Sequence, residues 1–331
     1  MHTGIDIGYN ATKAVTDKRR AAFPSAVGTP DRARFALATS GNGDSASAIV
    51  LTAPDHVLIG DEAVQQSRFL NRREDRHWIT SPEWHALFLA ALTELTSGTA
   101  VDVEIVTGLP VAFYSDKDQV QQQILGEHRV QREGRRTQLL RVTNARVIPQ
   151  PFGSLLAEVL DDRGHIHRPD LAQAAVGLID IGGKTCNLLS VHRLSEIGRE
   201  TASVNIGGWN LVRAVRHWLG QHYPGLDDQR DHHLAAAIQA RTLRYYGEPV
   251  ADFPSVVDEV TADLARQIIS EASHLWNGGA ALDALLLTGG GALLLGDHIR
   301  QHWPHAQVVT EPVYGNAVGY WKLARRIGNR K

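Results

Sequence analysis

"AVGLIDIGGKTCNLLSV", residues 175–191, decides how the chain is read. It contains Gly-Lys-Thr at 183–185, the closing letters of a phosphate-binding loop that leads into a helix. That loop requires a glycine five residues before the one preceding the lysine; position 178 is Leu178, and Gly177 is one residue too far back. The residues that follow, 186–194, continue as strand, whereas the lysine of such a loop opens a helix. Register and continuation both exclude it.

The stretch has another counterpart. "TGIDIGYNATKAV", residues 3–15, also runs an apolar strand into Asp-Ile-Gly, and Asp6 and Asp180 are 174 residues apart, about half the chain. Each stretch predicts a strand that turns into a second strand. Glycine at the turn, Gly8 or Gly182, lets backbone N–H groups approach an anion, and Thr12, Lys13, Lys184 and Thr185 add hydroxyls and cations nearby. A carboxylate at the strand end would repel phosphate directly. Asp6 and Asp180 therefore fit a divalent cation that keeps its water shell, Mg2+ above all. Two such hairpins facing each other would clamp a polyphosphate and its metal from both sides.

Further elements follow in order. "LDALLLTGGGALLLGDHI", residues 282–299, runs a strand into Gly289, Gly290 and Gly291 and then a helix from Ala292. A tight strand-to-helix turn asks for one or two glycines; three favour a surface on which a phosphate or sugar lies flat against a helix N-terminus. "VIPQPFGSLLAEV" (147–159) and "TEPVYGNAVGYWKL" (310–323) each pair a polar residue with proline, Gln150-Pro151 and Glu311-Pro312. Small residues then share one helical face, Gly153 with Ala157 and Gly315 with Gly319. Two closely crossing helices acting as a hinge are expected, each with its proline in the first turn.

Composition narrows the setting. A chain of 331 residues suits two lobes, each able to bury a core. With 34 Lys+Arg against 36 Asp+Glu, no global field recruits nucleic acid or an anionic membrane, so DNA would be reached locally or through an adaptor. The single cysteine, Cys186, excludes an internal disulfide and a cysteine-built metal site, and its place in an apolar strand reads as core. The first ten residues lack a basic start followed by an apolar core, and no apolar run approaches the ~20 residues that span a bilayer. A cytoplasmic protein without a membrane partner is expected.

Strand patterns at 47–51, 56–60, 102–110, 139–149, 175–183, 186–194 and 282–290 are interleaved with helical patterns at 82–96, 115–128, 151–162, 209–223, 231–244, 256–276 and 292–303. Such alternation predicts α/β layers. The polar stretch "ATSGNGDSASA", 38–48, is expected to be the most mobile. Arg129, Arg132, Arg135 and Arg136 read as a hairpin with a solvated turn at Glu133-Gly134, with a phosphate-binding patch as the alternative. His298 and His302 read as a solvated helix face rather than a metal pair.

Taken in order, Asp6 to Lys13, Gln150 to Gly153, Asp180 to Thr185, Gly289 to Ala292 and Glu311 to Gly319 resemble a known set. They are the phosphate 1, connect 1, phosphate 2, adenosine and connect 2 motifs of the actin, sugar-kinase and chaperone-ATPase superfamily, and they cover nearly the whole chain. Within it, "EIVTGLPVAFYSDKDQVQQQIL", 104–125, is similar to the Thr-Gly-Leu-Pro stretch of ParM/StbA-like bacterial and archaeal actins. The resemblance implies an actin-like, ribonuclease H-like duplicated α/β fold with two lobes around a nucleotide cleft. Residues 1–150 with 312–331 would form the first domain and 151–311 the second. It implies an ATPase that polymerises with ATP and disassembles after hydrolysis, most naturally for plasmid or other DNA segregation. Its partners would be copies of itself and a small DNA-binding adaptor.

The same resemblance assigns residues. Asp6 would position the waters of Mg2+ and Lys13 would bind phosphate. Gly8, Tyr9, Asn10, Ala11 and Thr12 form the loop whose backbone, from Asn10 to Thr12, would hold the β-phosphate; Gly182, Gly183, Lys184 and Thr185 would take the γ-phosphate side. Gln150 would orient the attacking water, and Asp180 would share the metal and help polarise that water. Because Gln is no strong base, hydrolysis should be slow. Gly289, Gly290, Gly291 and Ala292 fall to the nucleoside, while Gly208, Gln239 and Arg241 are placed at the base by analogy alone. ATP is implied, with GTP as the alternative. Lys184 replaces the small or hydroxyl residue expected there.

The rival reading is a small-molecule, sugar-type kinase of the same fold. Its common small class carries a cysteine-rich zinc motif that one cysteine cannot supply, and no Asp-centred sugar motif stands between 70 and 130. A CoA-dehydratase activator would require cluster cysteines. A chaperone or cell-division scaffold would require a peptide domain or a membrane-targeting helix, and "KLARRIGNRK", 322–331, is only weakly amphipathic.

Overall fold

His2–Ile7 and Ala11–Val15 form an antiparallel hairpin with Asp6 opposite Lys13. In the computed structural model, which describes residues 1–29, 49–67, 70–71 and 76–329, this hairpin starts the first of two large sheets. The polar stretch 38–48 lies outside the described residues. His2–Ile7 is buried along almost its whole length because it is central: Ala11–Val15 flanks it on one side and Ala100–Leu109, parallel, on the other. Such a strand reads as a continuous apolar run, which makes Asp6 conspicuous.

The chain builds this arrangement twice. The first sheet runs Arg20–Pro24, Ala11–Val15, His2–Ile7, Ala100–Leu109, Gln138–Pro149 and then continues into Gly126–Arg132 and shorter strands. The second runs Ala202–Val204, Cys186–His192, Ala175–Ile181, Ala284–Thr288, Ala306–Val308. In both, a hairpin is followed by two strands that join in parallel, although in the first sheet Gln138–Pro149 is entered through its own hairpin with Gly126–Arg132.

Helices cover the sheets for local reasons. Pro82–Leu95 starts where the Ser81 hydroxyl accepts the N–H of Trp84 at 3.1 Å, with Pro82 in the first turn, and most of its surface is apolar because it lies under the first sheet. Gly208–His222 buries Leu211, Val212, Val215 and Leu219, one stripe at helical spacing, against the second.

Two helices bridge the halves. Gln150–Val159 leaves the end of Gln138–Pro149, and Gly315–Gly328 crosses it at the small residues. A Cβ on Gly319 would sit 1.7 Å from the carbonyl oxygen of Gly153, and one on Gly153 would sit 2.4 Å from the Tyr320 ring. Around this crossing one apolar cluster gathers Val106 and Ile148 from the first sheet, Val176, Leu178 and Leu189 from the second, and Leu155, Leu156 and Tyr320 from the helices. The two sheets therefore share a core.

Four local expectations are corrected. The helix expected over 115–128 is only Lys117–Ile124, because Leu125 is extended and Gly126, at φ +106, opens the strand Gly126–Arg132. The helix from Asp231 stops at Ala240, where Arg241 turns left-handed at φ 54. Pro312 precedes its helix rather than sitting in the first turn, and its carbonyl accepts from the Gly289 N–H at 2.9 Å. Arg132 is not on a solvated turn: strand alternation points it inward with Val130, and it pairs with Glu94, while Arg129, Arg135 and Arg136 stay exposed. Among the described residues no helix is long and apolar enough to cross a membrane.

Candidate functional site

The two hairpins end in the same turn. Gly8 N–H donates to the Ala11 carbonyl at 3.2 Å, and Gly182 N–H donates to the Thr185 carbonyl at 2.9 Å. Residues paired across strands share a face, so each aspartate brings a partner from seven residues on: Lys13 for Asp6 and Asn187 for Asp180. Lys13 Nζ lies 3.7 Å from Asp6 Oδ2. Asn187 is fixed by the Ser203 hydroxyl, which donates to its Oδ1 at 2.5 Å.

Both aspartates are buried at the base of a cleft of about 260 Å³ between the halves. Gln150 Nε2 donates to Asp6 Oδ1 at 2.6 Å, and Asn316 Nδ2 donates to Asp180 Oδ2 at 2.9 Å. The oxygen of the Asn316 amide accepts in turn from the N–H and the hydroxyl of Ser154, at 3.1 and 2.7 Å. Burial pushes the Asp180 carboxyl up to about 6, the charge of Asp6 adds to this, and the Asn316 amide and Lys13 oppose it. Two buried carboxylates beside one lysine leave negative charge uncompensated. A hard cation suits that donor set, and no cluster of three or more His, Cys, Asp or Glu side chains exists among the described residues to hold one directly. Water would complete the shell.

Around the carboxylates, backbone comes too close for side chains. A Cβ on Gly183 would lie 2.7 Å from Asn10 Cβ, and one on Gly207 would lie 2.6 Å from the Gly183 carbonyl oxygen. Gly289, at φ +82, would clash with Ile181 O at 2.4 Å and with Asp180 Oδ1 at 2.6 Å. Gly290 differs: it lines the cleft, and a Cβ there would meet nothing within 4 Å, so its bareness leaves room for a ligand. Elsewhere the cleft wall is apolar, with Trp209, Leu211, Val212, Ile238 and Leu294, interrupted by the amide of Gln239.

The structure brings most of the expected residues to this cleft: Asp6, Gly8, Tyr9, Asn10, Ala11, Lys13, Gln150, Asp180, Gly182, Gly183, Lys184, Thr185, Gly208, Gln239, Gly289, Gly290 and Gly291. Three stand apart. Thr12 lies between two residues that face the cleft, so it faces away, buried, with its hydroxyl 2.9 Å from that of Ser25. Ala292 is buried where the helix begins. Arg241 is carried off by the left-handed end of its helix and pairs with Asp258.

Other residues of the site were not anticipated. Asn316 was visible as the one amide among the small residues after Tyr314, and Asn187 as the counterpart of Lys13. Trp209 follows the Gly207-Gly208 pair directly. Trp78 reaches the cleft from the short turn Arg76–Thr80 and had no sequence signal.

Residues 4–153 match the family model of the N-terminal domain of actin-like proteins, and residues 178–301 match that of the C-terminal domain of the archaeal, MreB-like actin homologue. Among solved structures, the archaeal actin homologue Ta0583 superposes with a TM-score of 0.80 at 20% identity, over 100% of each chain. Its complex with ADP superposes at 0.78 and 20% identity, over 99% of each. ParM from a 15-stranded filament of Clostridium botulinum superposes at 0.82 and 20% identity, over 98% of each. At this identity the likeness establishes the fold. No curated protein matches the chain. With its two halves matched in order and its doubled sheet set on either side of one cleft, the chain belongs to the actin-like proteins.

Proposed function

We propose that the protein is a cytoplasmic ATPase that assembles into filaments with ATP and disassembles after hydrolysis, serving DNA segregation through a small DNA-binding adaptor. The observation that carries this reading is the buried pair Asp6 and Asp180, set at the end of two glycine-turned hairpins that face each other. The ADP complex of Ta0583 and the ParM filament support it as properties of proteins with this fold. The domains 1–150 with 312–331 and 151–311 would be the bodies that move.

Mg2+, held through water by Asp6 and Asp180, would neutralise charge on the phosphate oxygens. The protein's own groups do the rest. Lys13 presents a cation beside Asp6, and the turn from Gly8 to Ala11 presents backbone to a phosphate. Gln150 has its amide nitrogen tied to Asp6, which leaves its oxygen to accept a hydrogen bond from an attacking water. An amide orients water but cannot take its proton, so turnover is slow and suited to timing a filament. The apolar wall around Trp209 and Ile238 suits a flat base, with Gln239 the group able to read its edge and so to choose between ATP and GTP.

Pelleting and light scattering with Mg-ATP against Mg-ADP test the reading, with phosphate release measured alongside. Asp180→Ala should abolish turnover, and Gln150→Ala should slow it while filaments persist. A protein that stays monomeric at tens of micromolar and phosphorylates a sugar is instead the kinase.

A further inference from the structure

A row of polar side chains crosses the second sheet on the face that carries Asp180. Strand register sets Thr288 beside Asp180, Asp180 opposite Asn187, and Asn187 opposite Ser203, so neighbouring strands contribute one residue each. One end of the row is tied to the bridging helices, where the Thr288 hydroxyl lies 2.7 Å from that of Ser154. The other end touches the first half of the chain: the Ser203 hydroxyl donates to Asn187 Oδ1 at 2.5 Å and accepts the N–H of Ala112 at 3.3 Å. Ala112 stands in the first turn of the short helix Val111–Asp116, where backbone N–H groups have no acceptor within the helix, and Pro110 ahead of it supplies no side-chain cap. A serine from the opposite half supplies one instead. The short helix is anchored in its own half by Arg76, which donates to Asp116 Oδ2 and to the Ser115 hydroxyl, each at 2.7 Å.

We propose that Ser203 is a positioning residue, which makes the orientation of the Asn187 amide depend on the two halves being seated against each other. This rests on the ATPase reading, in which the second hairpin takes the side of the terminal phosphate. The N–H of Ala112 can only donate, so it takes a lone pair of the Ser203 oxygen, and the hydroxyl proton turns to Asn187. A separation of 2.5 Å suits an oxygen there, since an amide nitrogen would stand farther off. With Oδ1 held, Nδ2 is the group that Asn187 presents to the cleft it lines, a donor for an oxygen of the terminal phosphate. When the halves part, Ala112 leaves Ser203, the hydroxyl rotates freely, and the amide loses its fixed sense. The donor is therefore presented only across a closed cleft.

The test uses the full chain. In nucleotide-free protein, the Ala112 amide should exchange its hydrogen at least about tenfold more slowly than an unstructured amide, and Ser203→Ala should remove that protection. In proton–nitrogen correlation spectra, the Asn187 side-chain amide should give one sharp pair of signals in the parent and in Ser203→Thr, which keeps the hydroxyl, and a broadened or shifted pair in Ser203→Ala. With Mg-ATP, Ser203→Ala should lower kcat for phosphate release about fivefold to tenfold, the usual worth of one hydrogen bond, with KM changed less than about twofold. Ser203→Thr should restore kcat, and in an Asn187→Ala background Ser203→Ala should cost nothing further. An unprotected Ala112 amide in the parent, a change in KM alone, or independent effects of Ser203→Ala and Asn187→Ala overturn the proposal. A parent protein that releases no phosphate fails the ATPase reading by itself; the Asn187 signals then decide the role of Ser203, and signals unchanged in Ser203→Ala overturn it.

Discussion

The amide of Asn316 joins Asp180 at 2.9 Å on one side and the backbone and hydroxyl of Ser154 on the other, so one side chain ties the last helix, the second hairpin and the bridging helix together. Removing it takes a hydrogen-bond donor from the buried Asp180 carboxylate and an acceptor from the buried Ser154 hydroxyl. Asn316→Ala should cost about 2–3 kcal/mol in urea unfolding. A cost under about 0.5 kcal/mol would mean that these hydrogen bonds carry no net stability.

Asp180 predicts a dependence on pH. Its carboxyl is raised from 3.8 to about 6 by burial first and by Asp6 second. A group whose folded pKa lies above its ordinary value stabilises the fold while protonated, fully below about 4, and that contribution is lost as pH rises through about 6. Two units correspond to about 3 kcal/mol. Ligand-free Asp180→Asn, neutral throughout, should be more stable than the parent at pH 8 by about that much, and the gap should close toward pH 4. Parallel stability curves from pH 4 to 8 would remove the carboxyl from this role.

The helix crossing predicts a steep cost for one methyl group. Gly319→Ala would place a Cβ 1.7 Å from the Gly153 carbonyl oxygen and 2.8 Å from the Ala157 nitrogen, both backbone, so the helices must part. The expected loss is about 3 kcal/mol or more, seen as a lowered thermal midpoint. Gly198→Ala is the control: its Cβ would meet nothing within 4 Å, and it should be close to neutral.

Gln239 and Arg241, both assigned to the nucleotide base by the family resemblance, separate in the structure. Gln239 lines the wall, and Arg241 is turned outward onto Asp258. Nucleotide titration should show Gln239→Ala changing affinity or the balance between ATP and GTP by at least a few-fold, and Arg241→Ala changing neither. The reverse order would place the base elsewhere.

How much of this was legible in the sequence depended on whether a local rule carried the information. Asp6 and Asp180 were legible because a carboxylate and a glycine at the end of an apolar strand stand out locally, and because the pattern occurs twice. Gly153 and Gly319 were legible through helical spacing. Arg132 was misread because a charged residue beside Glu133-Gly134 looks like turn, and only the alternation fixed by Val130 turns it inward. Arg241 was misread because nothing local announces a left-handed residue at a helix end other than glycine or asparagine. Trp78 depends on a contact between distant segments, Tyr9 and the Arg76–Thr80 turn, which no local pattern encodes.

Both hairpin turns are closed by a glycine N–H donating to the carbonyl three residues on, and on the proposed reading two such matched jaws would hold a chain of phosphates equally well in either direction. One lysine lies seven residues after its aspartate and the other four after its own, and that single offset destroys the equivalence. One jaw keeps its charge at the carboxylates; the other carries it to the lip. Repetition thus supplies the frame, and the misplaced cation gives it a head and a tail.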